Sequence, residues 1–81
     1  MYVTVDLAWD QNPSSDLAGY KISWGAGSGR ETMVLVQADV LSMQVLARAT
    51  PGTLLSFHLQ AFDMASNETA RKTIKTVYIE E

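Results

Sequence analysis

The chain has 81 residues, no cysteine, and nine acidic against six basic side chains, for a net charge of -3 at pH 7. That length makes one domain, which buries roughly 60% of the surface its unfolded chain exposes; without cysteine it has neither disulfides nor thiolate metal sites, and its redox compartment stays open. Scattered bases on a mildly acidic chain argue against nucleic acid and anionic membrane as partners, no apolar run approaches the roughly 20 residues of a membrane span, and no signal peptide is recognisable.

Residues 2–9, YVTVDLAW, place Val3, Val5, Leu7 and Trp9 on one face and Tyr2, Thr4, Asp6 and Ala8 on the other. Period two in a β-branched and aromatic run predicts a half-buried strand. Residues 10–19, DQNPSSDLAG, predict a surface loop. Tyr20, Ile22 and Trp24 then alternate with Lys21 and Ser23 as a second strand. The glycine-rich stretch 25–29 leads into a third extended segment, ETMVLVQ. Residues 40–49, VLSMQVLARA, fit a helix in part by propensity. Their place before the Pro51-Gly52 turn favours a strand, with a bulge or register shift absorbing the surplus apolar residues.

After that turn, Leu55, Phe57, Leu59 and Ala61 alternate with Ser56, His58, Gln60 and Phe62. This strand is expected in the middle of a sheet, with the rest of the chain packed round it. Residues 63–70, DMASNETA, form a polar loop. Residues 71–79 form a last strand, read with Ile74, Thr76 and Tyr78 opposed to Lys75, Val77 and Ile79, and its lysines suit a sheet edge. Six short extended segments without a helix predict an all-β fold, an antiparallel two-sheet β-sandwich of immunoglobulin-like type.

Little in the chain is built for catalysis. His58 is the only histidine and falls on the polar face of its strand, with no second histidine or carboxylate at ligand spacing. Asp10 and Asp16 share a loop but lack the alternation of a calcium loop. Gly25, Gly27 and Gly29 precede a strand and not a helix, so no helix N-terminus completes a phosphate cradle. Asn67-Glu68-Thr69 is formally a glycosylation sequon. Trp9, Tyr20 and Trp24 read as core, methionines 33, 43 and 64 as gap fillers, and Arg30, Arg48, Arg71 and Lys72 as solvated charges. The expectation is a protein that is not an enzyme, with no catalytic residue, cofactor or metal.

Several motifs together resemble a fibronectin type III domain of bacterial or phage type. They are Leu7-Ala8-Trp9-Asp10, Asn12-Pro13, Asp16-Leu17-Ala18-Gly19-Tyr20-Lys21-Ile22, Pro51-Gly52-Thr53 before LSFHLQAFD, and Asp63-Met64-Ala65-Ser66-Asn67-Glu68-Thr69. The resemblance runs from about residue 3 to residue 70 in the expected order. Two departures stand out. The family carries a strand before its tryptophan strand, and here the chain begins almost directly in the latter. The resemblance then implies a sheet left with the family's second and fifth strands alone. A family tyrosine that ties back to the preceding turn is replaced by Leu55, and Ala49 stands where a leucine is usual, which implies a looser corner.

An uncovered strand edge invites a partner strand, and residues 2–8 carry no lysine, arginine or proline to blunt it. Tyr2, Val3, Thr4 and Asp6 are therefore the candidate interaction residues. The expected partner is a protein, either a second copy or an assembly subunit. The resemblance suggests a small structural subunit such as a phage capsid decoration, cement or tail protein, a role that a chain with its own Met1 and no linker suits. The alternative it leaves open is a spacer or carbohydrate-associated module from a secreted bacterial enzyme or adhesin, with binding in loops 10–19, 25–30 and 63–70. Either role places it on a virion or outside cells, and not among cytoplasmic enzymes.

Overall fold

A computed structural model describes residues 2–13, 15–26 and 31–80. It is all-β, with six strands: β1 Tyr2–Ala8, β2 Leu17–Ala26, β3 Thr32–Gln37, β4 Ser42–Arg48, β5 Leu54–Asp63 and β6 Lys72–Tyr78. They form two antiparallel sheets, consistent with a β-sandwich: a two-stranded sheet β1-β4 and a four-stranded sheet β3-β2-β5-β6. β2 and β5 are the inner strands of the larger sheet, so the run after Pro51-Gly52 holds the middle position its alternation predicts.

The core follows the period-two pattern. Val5 and Leu7 of β1 and Val45 and Ala47 of β4 face Tyr20, Ile22 and Trp24 of β2 and Leu55, Phe57 and Ala61 of β5, all buried. Trp9 meets Tyr20 edge-on with ring centroids 5.7 Å apart, and Trp24 lies tilted on Phe57 at 5.7 Å. Such aromatic contacts add about 0.5–1.5 kcal/mol each beyond area burial. Two strands cannot cover four, so the inward residues of the outer strands, Val34 and Val36 on β3 and Ile74 and Val77 on β6, are only half-buried.

Three details differ from the sequence reading. β4 pairs with β1 without interruption from Tyr2↔Arg48 to Ala8↔Ser42, so no bulge falls there. Val40 and Leu41 lie outside the strand instead, in a turn where Val40 N–H donates to the Gln37 carbonyl at 3.1 Å. A bulge occurs in β6: Phe57 pairs with Lys75 and His58 with Thr73, leaving Ile74 as the extra residue. The bulge resets the alternation, so Ile74, Val77 and Ile79 pack inward while Tyr78 stands exposed. The β2 strand starts at Leu17, inside the segment read as loop, and a second irregularity separates Leu17 from Gly19 against β5.

The Pro51-Gly52 corner is tied without a tyrosine hydroxyl. Gly52 takes φ 84°, the left-handed value that a type II turn needs at its third residue. Its N–H donates to the Ile79 carbonyl at 2.6 Å, and Ile79 N–H donates to the Thr53 carbonyl at 2.8 Å. The Thr53 hydroxyl donates to the Thr50 carbonyl at 2.6 Å.

At Gly19 the limit is space. A Cβ there would lie 2.4 Å from the Val36 carbonyl oxygen and 3.1 Å from the Phe62 ring. The nearer atom is backbone and cannot swing aside. Gly19→Ala is expected to destabilise the domain by about 1–3 kcal/mol, the usual penalty of overpacking. Thermal denaturation checks this: at about 4–8 °C per kcal/mol for a domain of this size, the midpoint falls by several degrees.

Candidate interaction edge

Among the described residues, β1 is paired with a neighbouring strand on one side only, that of β4. Antiparallel pairing points the N–H and C=O of one residue to the same side and alternates sides along the strand. Two bonds fix the parity. Trp9 N–H donates across to the Leu41 carbonyl at the β4 end of the sheet at 3.0 Å. On the other flank, Lys75 Nζ of β6 donates to the Asp6 carbonyl oxygen at 3.0 Å. Odd residues therefore bond β4, and the backbone groups of Tyr2, Thr4, Asp6 and Ala8 line the open edge.

Among the four candidate residues, Tyr2, Thr4 and Asp6 share that edge, and Tyr2 is 62% exposed. Val3 does not share it: it pairs with Ala47, and its side chain packs half-buried against the core. The Asp6 carboxylate lies on the outer face, where it accepts from Gln44 Nε2 at 2.9 Å. Leu46, opposite Thr4, is 65% exposed on the same face. Beyond Ala8, a cleft between β1 and β6 is lined by Trp9, Leu59, Lys72 and Ile74. Trp9 is 9% exposed, and its buried indole Nε1–H has no acceptor among the described residues.

His58 has a carboxylate beside it in the fold, though none stands at ligand spacing in the sequence. Its Nε2 lies 3.8 Å from Glu31 Oε2, and its Nδ1 lies 3.2 Å from the Thr73 hydroxyl. Arg71 Nη2 donates to the same Glu31 oxygen at 2.7 Å. Glu31 lies just before β3, 27 positions from His58 in sequence (58 minus 31), which is why no local spacing revealed it. The cluster is an ion-paired surface network, and no three His, Cys, Asp or Glu among the described residues come together as a metal site. Gly27, Gly29 and Arg30 lie outside the described residues.

The loop after β5 is folded on Asp63. Asp63 Oδ1 accepts from the N–H of Ala65 and of Asn67, each at 2.9 Å, and Oδ2 accepts from Asn67 Nδ2 at 3.1 Å. This clamp accommodates Ser66 at φ 67°. Thr69 closes the loop onto β5 by accepting from Ala61 N–H on its hydroxyl at 3.0 Å. Both polar groups of the sequon are thus engaged within the fold. Lys21 and Glu68 pair across the neighbouring surface at 2.7 Å.

No family model, curated protein or solved structure matches the chain.

The Asn67 backbone N–H and then its side-chain amide hold the Asp63 carboxyl below its ordinary value. The stability this contributes is complete above the ordinary carboxylate pKa of about 3.9 and is lost as pH falls through the lowered value. Asp63→Asn, a neutral analogue, is expected to melt below the wild type at pH 7. The gap should begin to narrow as the pH falls below about 3.9 and close only below the lowered value, as melts across pH 2–7 would show.

Proposed function

We propose that this domain is a non-catalytic structural module that joins another protein through the open edge of β1, as a small subunit of a larger assembly. A fibronectin type III-like subunit of a phage capsid or tail is the version that the sequence resemblance favours. The observation that carries the reading is the Asp6 carbonyl, turned away from β4 and met by a lysine side chain where a strand N–H would otherwise donate. Unpaired N–H and C=O groups along a strand are a ready template for a further strand. The edge has no proline, and its outer face carries exposed Tyr2 and Leu46, the kind of side chains that protein contacts favour.

Thr4→Pro tests this directly. Thr4 N–H points to the open side, so proline there removes an edge donor and leaves the β1-β4 ladder intact. Val5→Pro removes a ladder bond and costs roughly 1–3 kcal/mol through the stranded acceptor. Thermal melts should therefore separate the two variants, with Thr4→Pro close to wild type. In light scattering over a dilution series, the wild-type chain should self-associate weakly at the high end, and Thr4→Pro should remove that association. Association that survives Thr4→Pro overturns the edge as the place of contact.

A further inference from the structure

We infer that the high-affinity occupant of this flank is a single extended strand of another protein, apolar at alternate positions and bearing a carboxylate that reaches Lys75. The inference rests on the edge reading of β1 and adds the partner's form and charge.

Strands in a sheet lie about 4.8 Å apart, and the two sheets differ by two strands in width. On the β6 side, one strand laid against β1 would cover the half-buried Ile74 and Val77. The symmetric alternative, β1 against β1 of a second copy, brings a second β6 into the same layer under the new pair. Self-pairing is therefore weak, while one foreign strand fits.

The walls of the flank specify that strand. Its backbone pairs with Thr4, Asp6 and Ala8. Its apolar side chains meet Leu59 and Ile74 beside Trp9, in the cleft those residues line. The buried Trp9 Nε1–H, unpartnered among the described residues, sits in this wall. Its charge is set by β6. Lys75 pairs with Phe57 and Lys72 with Leu59, both inward positions, so two ammonium groups on an edge strand lie on its core-facing side. Inward-pointing lysines guard an edge against indiscriminate pairing. When a strand N–H takes over the Asp6 carbonyl, Lys75 is released and needs a new anion. Asp10 lines the mouth of the cleft beyond Trp9, and the Asp6 carboxylate is held outward by Gln44, so neither acid sits where Lys75 would turn.

The probe is the capped peptide TVEVEVT, compared with TVKVKVT, titrated into the 15N-labelled full chain. Chemical-shift changes are expected at the amides of Thr4, Asp6 and Ala8 and at the Trp9 indole N–H, with Trp24 at the Tyr2–Arg48 end unmoved. The acidic peptide should bind about fivefold more tightly than the basic one, the equivalent of one partly exposed ion pair. Lys75→Glu, at an exposed position and with the fold checked by its amide spectrum, should reverse that order, and Thr4→Pro should abolish binding of both. Equal binding of the two peptides, an order unchanged by Lys75→Glu, shifts confined to β3 or β4, or no binding at millimolar peptide each overturns the inference. Self-association that is sensitive to Thr4→Pro, found together with any of these, would leave the edge reading standing and remove only the single foreign strand.

Discussion

Two strands packed over four set the terms for everything else in this domain. Only β2 and β5 are fully roofed by β1 and β4, and the core of Tyr20, Ile22, Phe57 and Leu55 sits in that overlap, essentially without solvent contact. Outside it the larger sheet overhangs on both sides. Half-buried valines and an isoleucine and an open strand edge follow from this mismatch of widths. Burying β1's apolar face against β5 and β2 fixes which residues of β1 point inward. Pairing with β4 then fixes which backbone groups are left outside. The exposed edge is thus a consequence of how the core is packed, not a separate feature added to it.

The β6 bulge shapes the same flank. An uninterrupted alternation would have placed Ile74 on the outer face, and the extra residue returns it to the flank together with Lys75. From there the ammonium spans to the Asp6 carbonyl and holds the side of the sandwich closed with one hydrogen bond. One hydrogen bond from a lysine side chain is a small closure compared with a ladder of backbone bonds. It keeps the edge shielded in the free chain at little energetic cost to whatever displaces it.

Alternation made most of the fold legible. β1, β2 and β5 each carry four or so apolar residues at every second position, and a one-residue slip would expose them all, so both the strands and their inward faces follow from the sequence. The failures are local and have causes. In β6 the bulge moved Ile74 onto the face of Val77 and Ile79, because nothing in KTIKTVY marks which residue is the extra one. Around residue 40 the surplus apolar side chains suggested a bulge, whereas the chain carries them between β3 and β4, with Val40 packed on the core and Leu41 exposed. The candidate edge was legible as a segment but not as a set of residues. Period two separates side chains into faces, yet which alternate backbone groups lie free depends on the partner strand, and that parity came from the Trp9 and Lys75 bonds. Glu31 beside His58 required the tertiary fold.

The same parity argument bears on why this edge does not simply aggregate. A strand of seven residues with an apolar inner face and free backbone groups is a hazard if any extended chain can dock on it. Two lysines at inward positions of β6 raise the threshold, since an arriving strand must either desolvate them beside Leu59 and Ile74 or supply an anion. Burying an unpaired ammonium costs several kcal/mol, more than the few backbone bonds that a random segment offers in return. A segment with a carboxylate in register removes that cost instead of adding to it. Selectivity at this flank therefore arises from what it rejects, and the groups that do the rejecting are the ones a matching partner would use.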